Sequence, residues 1–108
     1  METKTTENTF KTINPATEKE LSSYEYMTDI QVENTIESSH QAFLKWRLKS
    51  IKERGEIIKS IGEELQNYKS DLADLMTDEM GKLLKQSIQE IDLCSGICKY
   101  SANTAAEV

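Results

Sequence analysis

Two cysteines, a single histidine and a Gly-Lys pair are the residues whose types invite a chemical reading. Cys94 and Cys98 stand four apart, so a helix sets both thiols on one face. As metal ligands they would supply two of the four donors of a zinc-type site, and His40 is the sole histidine to add to them. As a disulfide they would strain a helix. Neither has the cationic or helix-N-terminal setting that lowers a thiol pKa for nucleophilic work. The expectation is two small hydrophobes buried in a core.

Gly81-Lys82, within "LMTDEMGKLL" at residues 75–84, raises the question of a phosphate-cradling turn. A P-loop needs GxxxxGK followed by Ser or Thr, so that several backbone N–H groups converge on the phosphates. Position 76 is Met and position 83 is Leu, so the pattern fails at both ends. Gly81 is expected instead to end a helix with positive φ. Asp71, Asp74 and Asp78 share a helical face beside Glu79 and read as a solvated surface. His40, near Phe43 and Lys45 with no second histidine or carboxylate partner, reads as an ordinary surface residue. Nothing matches GxGxxG, HExxH, GxSxG or a calcium loop. By motif, the expected catalytic residues are none and the expected cofactor-binding residues are none.

The elements that must position these residues follow from capping and periodicity. Residues 1–8 read as a disordered lead-in. Thr9 to Ile13 and Leu21 to Tyr26 read as a hairpin turned by Asn14-Pro15, since Pro15 fixes its own φ and extends Asn14. Thr28 with Gln31, and Ser50 with Glu53, have capping-box spacing. They predict helices over 29–44 and 51–67. The first has the buried stripe Val32, Ile36, Ser39 and Phe43, with Trp46 plugging the corner after it. The second has Ile57, Ile58, Ile61, Leu65 and Tyr68. Gly55 and Gly62, seven apart in that helix, suggest a neighbouring backbone passing close. Ser70 is expected to cap a short third helix with the stripe Leu72, Leu75, Met76, Glu79 and Met80. A long fourth helix takes up residues 82–106. One flank carries Leu84, Ile88, Ile91, Cys94 and Cys98; the other carries Leu83, Leu93, Ile97 and Tyr100. A helix apolar on opposite sides is normally buried on both, and three other helices cover one flank well. The second flank expects something this sequence does not supply.

Composition sets the bounds. The 108 residues suit one domain, and no internal repeat divides them. Hydrophobic residues make up 37%, which stays below the roughly 45–50% of ordinary domains even with four glycines added, so the core is thin. A net charge of −6 argues against a nucleic-acid tracker and against adsorption to anionic membranes. No apolar run approaches the ~20 residues of a membrane span. The polar start lacks a signal-peptide core, and two cysteines make no disulfide framework. The reducing cytoplasm is the expected compartment.

In order along the chain, "TINPATEKEL", "AFLKWR", "SIKERGEIIKSIGEELQNYKSDLADLMTDEMGK" and "QEIDLCSGICKYSA" resemble the N-terminal part of NAD(P)-dependent aldehyde dehydrogenases, closest in look to the succinate-semialdehyde type. The resemblance covers about Phe10 to Val108. It rests on the NPAT turn, the AF-x-x-W pair, the Arg54 position and E-M-G-K together. Two positions depart from the pattern: Glu18 stands where the family usually has Gly, and Leu83 where it often has Pro. The resemblance implies a mainly α fold with an N-terminal β-hairpin, residues 9–108 forming the outer helical part of an α/β coenzyme-binding domain. It also implies that the second flank of the long helix expects a sheet. The family's catalytic cysteine, general-base glutamate, oxyanion asparagine and dinucleotide-binding strands lie further downstream and have no counterpart here. NAD or NADP would serve the full-length family, with no cofactor expected for this chain alone.

Some members hold a structural alkali cation, and the positions matching its ligands are Thr12 and Ile13, through backbone carbonyls, and Glu90. The implied function is a truncated or split dehydrogenase that oxidises a semialdehyde, inactive alone, with the remainder of the enzyme or a homologous subunit as partner and neither nucleic acid nor membrane. The alternative is a non-enzymatic helical interaction module that packs on that remainder or on a homologue. A small independent helical protein is a third reading, poorly served by the thin core.

Overall fold

The structure, a computed structural model, describes residues 8–108. The expected lead-in therefore lies outside the described residues except for Asn8, whose carbonyl accepts from the Tyr26 N–H at 2.8 Å. Strands β1 (Thr9–Ile13) and β2 (Glu20–Glu25) pair antiparallel, Phe10 opposite Tyr24 and Thr12 opposite Ser22, with an irregularity between Thr12 and Ile13. Phe10 packs against Tyr24 and Tyr26 at ring separations of 5.3 and 5.0 Å. The turn is built by Asn14, whose Oδ1 accepts from the N–H groups of Ala16 and Thr17. Glu18 closes it with φ 61°.

Helix α1 (Asp29–Trp46) starts at a complete capping box between Thr28 and Gln31. Helix α2 (Ile51–Asn67) starts at Ser50, whose hydroxyl accepts from the Glu53 N–H at 3.1 Å. Glu53 does not return the bond, so only half of the expected box forms. Helix α3 (Lys69–Met80) begins one residue before the expected Ser70 cap. Tyr68, at φ −103° and ψ 15°, ends α2 and starts α3, so the chain turns with no room for a separate cap. Gly81 ends α3 in the left-handed region at φ 70°, as its position predicts. Helix α4 (Leu84–Thr104) follows an extended Leu83 and closes in a single 3-10 turn, Ala105–Glu107.

The core lies where α2 and α3 pack on α4. The two glycines of α2 do mark a close approach. A β-carbon on Gly55 would stand 3.2 Å from the Ala102 carbonyl, and one on Gly62 would stand 2.9 Å from Cys98 Cβ. Ser95 Oγ donates to the Gly62 carbonyl across this seam at 2.9 Å. Ser87 is fully buried and meets the Thr77 hydroxyl at 2.9 Å, tying α3 to α4.

Several expected stripes are displaced. Because α2 comes so close, the inward row of α4 is Ser87, Ile91, Ser95, Cys98 and Ala102, small except for Ile91. Cys94 is turned off that row and is exposed, contrary to the expectation of two buried thiols. In α3 the inward residues include Ala73 and Thr77, while Leu75 and Met80 face outward. In α2, Ile58 and Leu65 are half-buried, whereas Ile57 and Ile61, and Tyr68 just after the helix, are exposed. None of α1 is buried, and Ile36, placed at the centre of its expected core stripe, is 65% exposed. The reason is plain: no described element packs against that face to any extent. The result is mainly helical, with an N-terminal two-stranded antiparallel sheet.

Candidate functional site

The hairpin tip docks where α3 turns into α4. A β-carbon on Gly81 would stand 2.9 Å from Pro15 Cγ, so glycine serves both the backbone sign and the contact. The residues that the resemblance matches to a cation site lie on β1, Thr12 and Ile13, and on α4, Glu90. Thr12 is half-buried, and its Oγ1 is shut off from solvent with no hydrogen-bond partner. Ile13 is exposed. The irregularity between Thr12 and Ile13 interrupts the ladder, which leaves backbone groups there without a regular partner. Glu90, half-buried on α4, is ion-paired with Lys82. Carbonyl and carboxylate oxygens suit a hard cation, and the Glu90 carboxylate is already engaged by the Lys82 ammonium. Among the described residues no group of three or more His, Cys, Asp or Glu side chains is placed to hold a metal.

The other reactive residue types are not brought together. Cys94 and Cys98 are both free thiols on α4. His40 is exposed on α1 with its ring 6.3 Å from that of Phe43. Asp71, Asp74 and Asp78 all face solvent. One polar junction went unforeseen. Asp92 Oδ1 on α4 accepts from Gln66 Nε2 and from Lys69 Nζ, each at 3.0 Å. The Gln66 bond first, then that of Lys69, holds the Asp92 carboxyl below its ordinary pKa. Its partners stand more than 20 residues away in sequence, so no local pattern announces it.

What the fold does assemble is apolar surface. On α4, Leu93, Ile97 and Tyr100 follow one another at helical spacing and are 62%, 54% and 69% exposed, whereas Ile91 on the opposite side is 5% exposed. A second apolar groove runs along Ile57, Ile61, Leu65, Tyr68 and Leu72. Open apolar areas of this kind mark contact surfaces in soluble proteins. No described helix is long and apolar enough to cross a membrane.

Comparison with known proteins agrees with this arrangement. The profile of the aldehyde dehydrogenase family matches residues 2–108. The NADP(+) succinate-semialdehyde dehydrogenase of Deinococcus radiodurans is 31% identical over 94 residues, which cover 87% of this chain and 20% of that protein. The crystal structure of succinic semialdehyde dehydrogenase from Streptococcus pyogenes, in complex with NADP+ as the cofactor, superposes with a TM-score of 0.84 at 32% identity, over 91% of this chain and 22% of the other. Betaine aldehyde dehydrogenase from Staphylococcus aureus, in complex with NAD+, gives a TM-score of 0.83 at 25% identity, over 93% and 21%. The chain thus spans about a fifth of the length of the relatives it matches. With the family profile matched over residues 2–108 and the backbone superposing on solved members at TM-scores of 0.83 and 0.84, the chain belongs to the aldehyde dehydrogenase family.

Proposed function

We propose that this chain is the outer helical part of the coenzyme-binding domain of an NAD(P)-dependent aldehyde dehydrogenase that oxidises a semialdehyde, succinate semialdehyde or a near analogue, to the acid in the cytoplasm. Its partner is the remainder of the dehydrogenase or a homologous subunit. The observation that carries this reading is the open flank Leu93–Ile97–Tyr100, on the side of α4 opposite its buried row. A sheet laid against that flank would complete the layer arrangement of an α/β domain.

In this reading the 108 residues have no nucleophile or dinucleotide site of their own. The purified chain, incubated with NAD+ or NADP+ and succinate semialdehyde, is expected to produce no reduced nicotinamide at 340 nm. Turnover above background overturns the reading. The same exposed surface favours a second use, as a non-enzymatic module that docks on a homologue and disturbs its assembly.

The alkali cation at Thr12, Ile13 and Glu90 belongs to the same proposal. In the enzyme assembled with its remainder, replacing sodium by potassium at constant ionic strength is expected to shift Tm, and Glu90→Gln is expected to abolish the shift. An identical response in the variant removes the cation from the proposal.

A further inference from the structure

At the far end of the α2–α4 seam a cleft of about 350 Å3 opens between Trp46, Ile51, Arg54, Ile58, Ser101 and Ala105. Its lining is mainly apolar, and Arg54 is the one charged residue in it. Arg54 Nε is closed off from solvent and donates to nothing. Among the described residues Arg54 has no ion-pair partner, and no acidic side chain lines the cleft. Arginine presents two parallel N–H groups that match the two oxygens of a carboxylate. An apolar pocket with one convergent charged group is the usual build of a small-ligand site.

We propose that the Trp46–Arg54 cleft binds a carboxylate, held by the two terminal NH2 groups of the Arg54 guanidinium, with Trp46 as a wall. The carboxylate comes from a free small acid or from an Asp or Glu of the docking polypeptide; the second source rests on the partner reading above. The chain's net charge of −6 disfavours diffuse anion binding, so saturable binding points to a defined cationic pocket.

Trp46 is the only tryptophan, so its emission reports on the cleft directly. The first arm titrates the full chain with sodium succinate against sodium chloride at matched ionic strength. The second arm measures binding to a separately expressed remainder of the Deinococcus radiodurans enzyme. Each arm uses wild type, Arg54→Met and Arg54→Lys, with helix content checked by circular dichroism. Succinate saturation that weakens tenfold or more in both variants supports a free-acid pocket. Arg54-dependent binding of the remainder alone supports a polypeptide carboxylate. Equal binding of the remainder by all three proteins, with no succinate response, overturns the pocket and leaves the docking reading standing. Succinate binding that depends on Arg54, without any binding of the remainder, does the reverse. No response from wild type in either arm overturns both. If Arg54→Met fails to fold, Arg54→Lys, which keeps the charge and loses the fork, carries the comparison.

Discussion

Glu18 holds φ 61°, a conformation in which its β-carbon crowds the following carbonyl, at a cost of roughly 1 kcal/mol. The Asn14 side chain and the Asn14–Lys19 backbone bond over-determine the turn and keep it there. Glu18→Gly removes the strain and is expected to raise stability by about 0.5–1 kcal/mol in urea titration, whereas Glu18→Val is expected to lower it. Asp92 yields a pH prediction. Its carboxyl titrates below the ordinary value because Gln66 and Lys69 favour the charged form. The stabilisation is therefore present above the unfolded-state pKa, near 3.8, and is lost as pH falls through the lower folded value. Asp92→Asn is expected to flatten the acid limb of the stability profile; an unchanged limb assigns acid sensitivity elsewhere. At this scale the sequence discloses what depends on a residue's own backbone. Gly81 at the end of a periodic run had to be left-handed, and Thr28 with Gln31 had the spacing to close a box. It does not disclose Asp92, whose partners come from other helices, or the fate of Cys94, which depends on which side α2 approaches.

Helix existence was legible from period and caps, and α2 has the predicted bounds. The phase of each stripe was less so, because amphipathicity alone does not say which neighbour comes closest. Here the glycines outweigh the large apolar residues. Gly55 and Gly62 let α4 approach until Ser95, Cys98 and Ala102 face them, and Leu93 and Ile97 of α4 are left outward while Ile91 stays buried. This separates two substitutions of the same chemical kind. Gly96→Ala adds a β-carbon into open space within α4, so only helix propensity acts, and a gain of up to about 1 kcal/mol is expected. Gly62→Ala meets Cys98 Cβ and the Ser95 carbonyl, and overpacking of this kind costs about 1–3 kcal/mol. The net expectation is a loss for Gly62→Ala and a gain for Gly96→Ala, read from urea midpoints at equal m-value. A gain in both would mean that the helices separate freely and that the seam contributes little.

A 108-residue chain folded into a closed globule would have a radius of gyration of about 13 Å; this one has 18.6 Å and extents of 57 × 40 × 20 Å. The excess goes with the bare α1 and the open α4 flank: these faces are not folded back on the chain's own core. That much was foreshadowed by a long helix apolar on both sides. The exposure of α1 was not, since its period looks the same whether or not a partner is present. The substitution Ile97→Lys tests the consequence for the whole molecule. In the isolated chain Ile97 buries little, so a surface-like effect within about 0.5 kcal/mol is expected, together with better solubility and weaker binding of a dye that reports apolar surface. Against the remainder of a related dehydrogenase the same lysine would be buried without a partner, and binding should fall by a hundredfold or more. A fully buried position in the isolated fold would behave the opposite way, with stability falling steeply and dye binding rising. Ile91→Lys, on the inward row of the same helix, supplies that control.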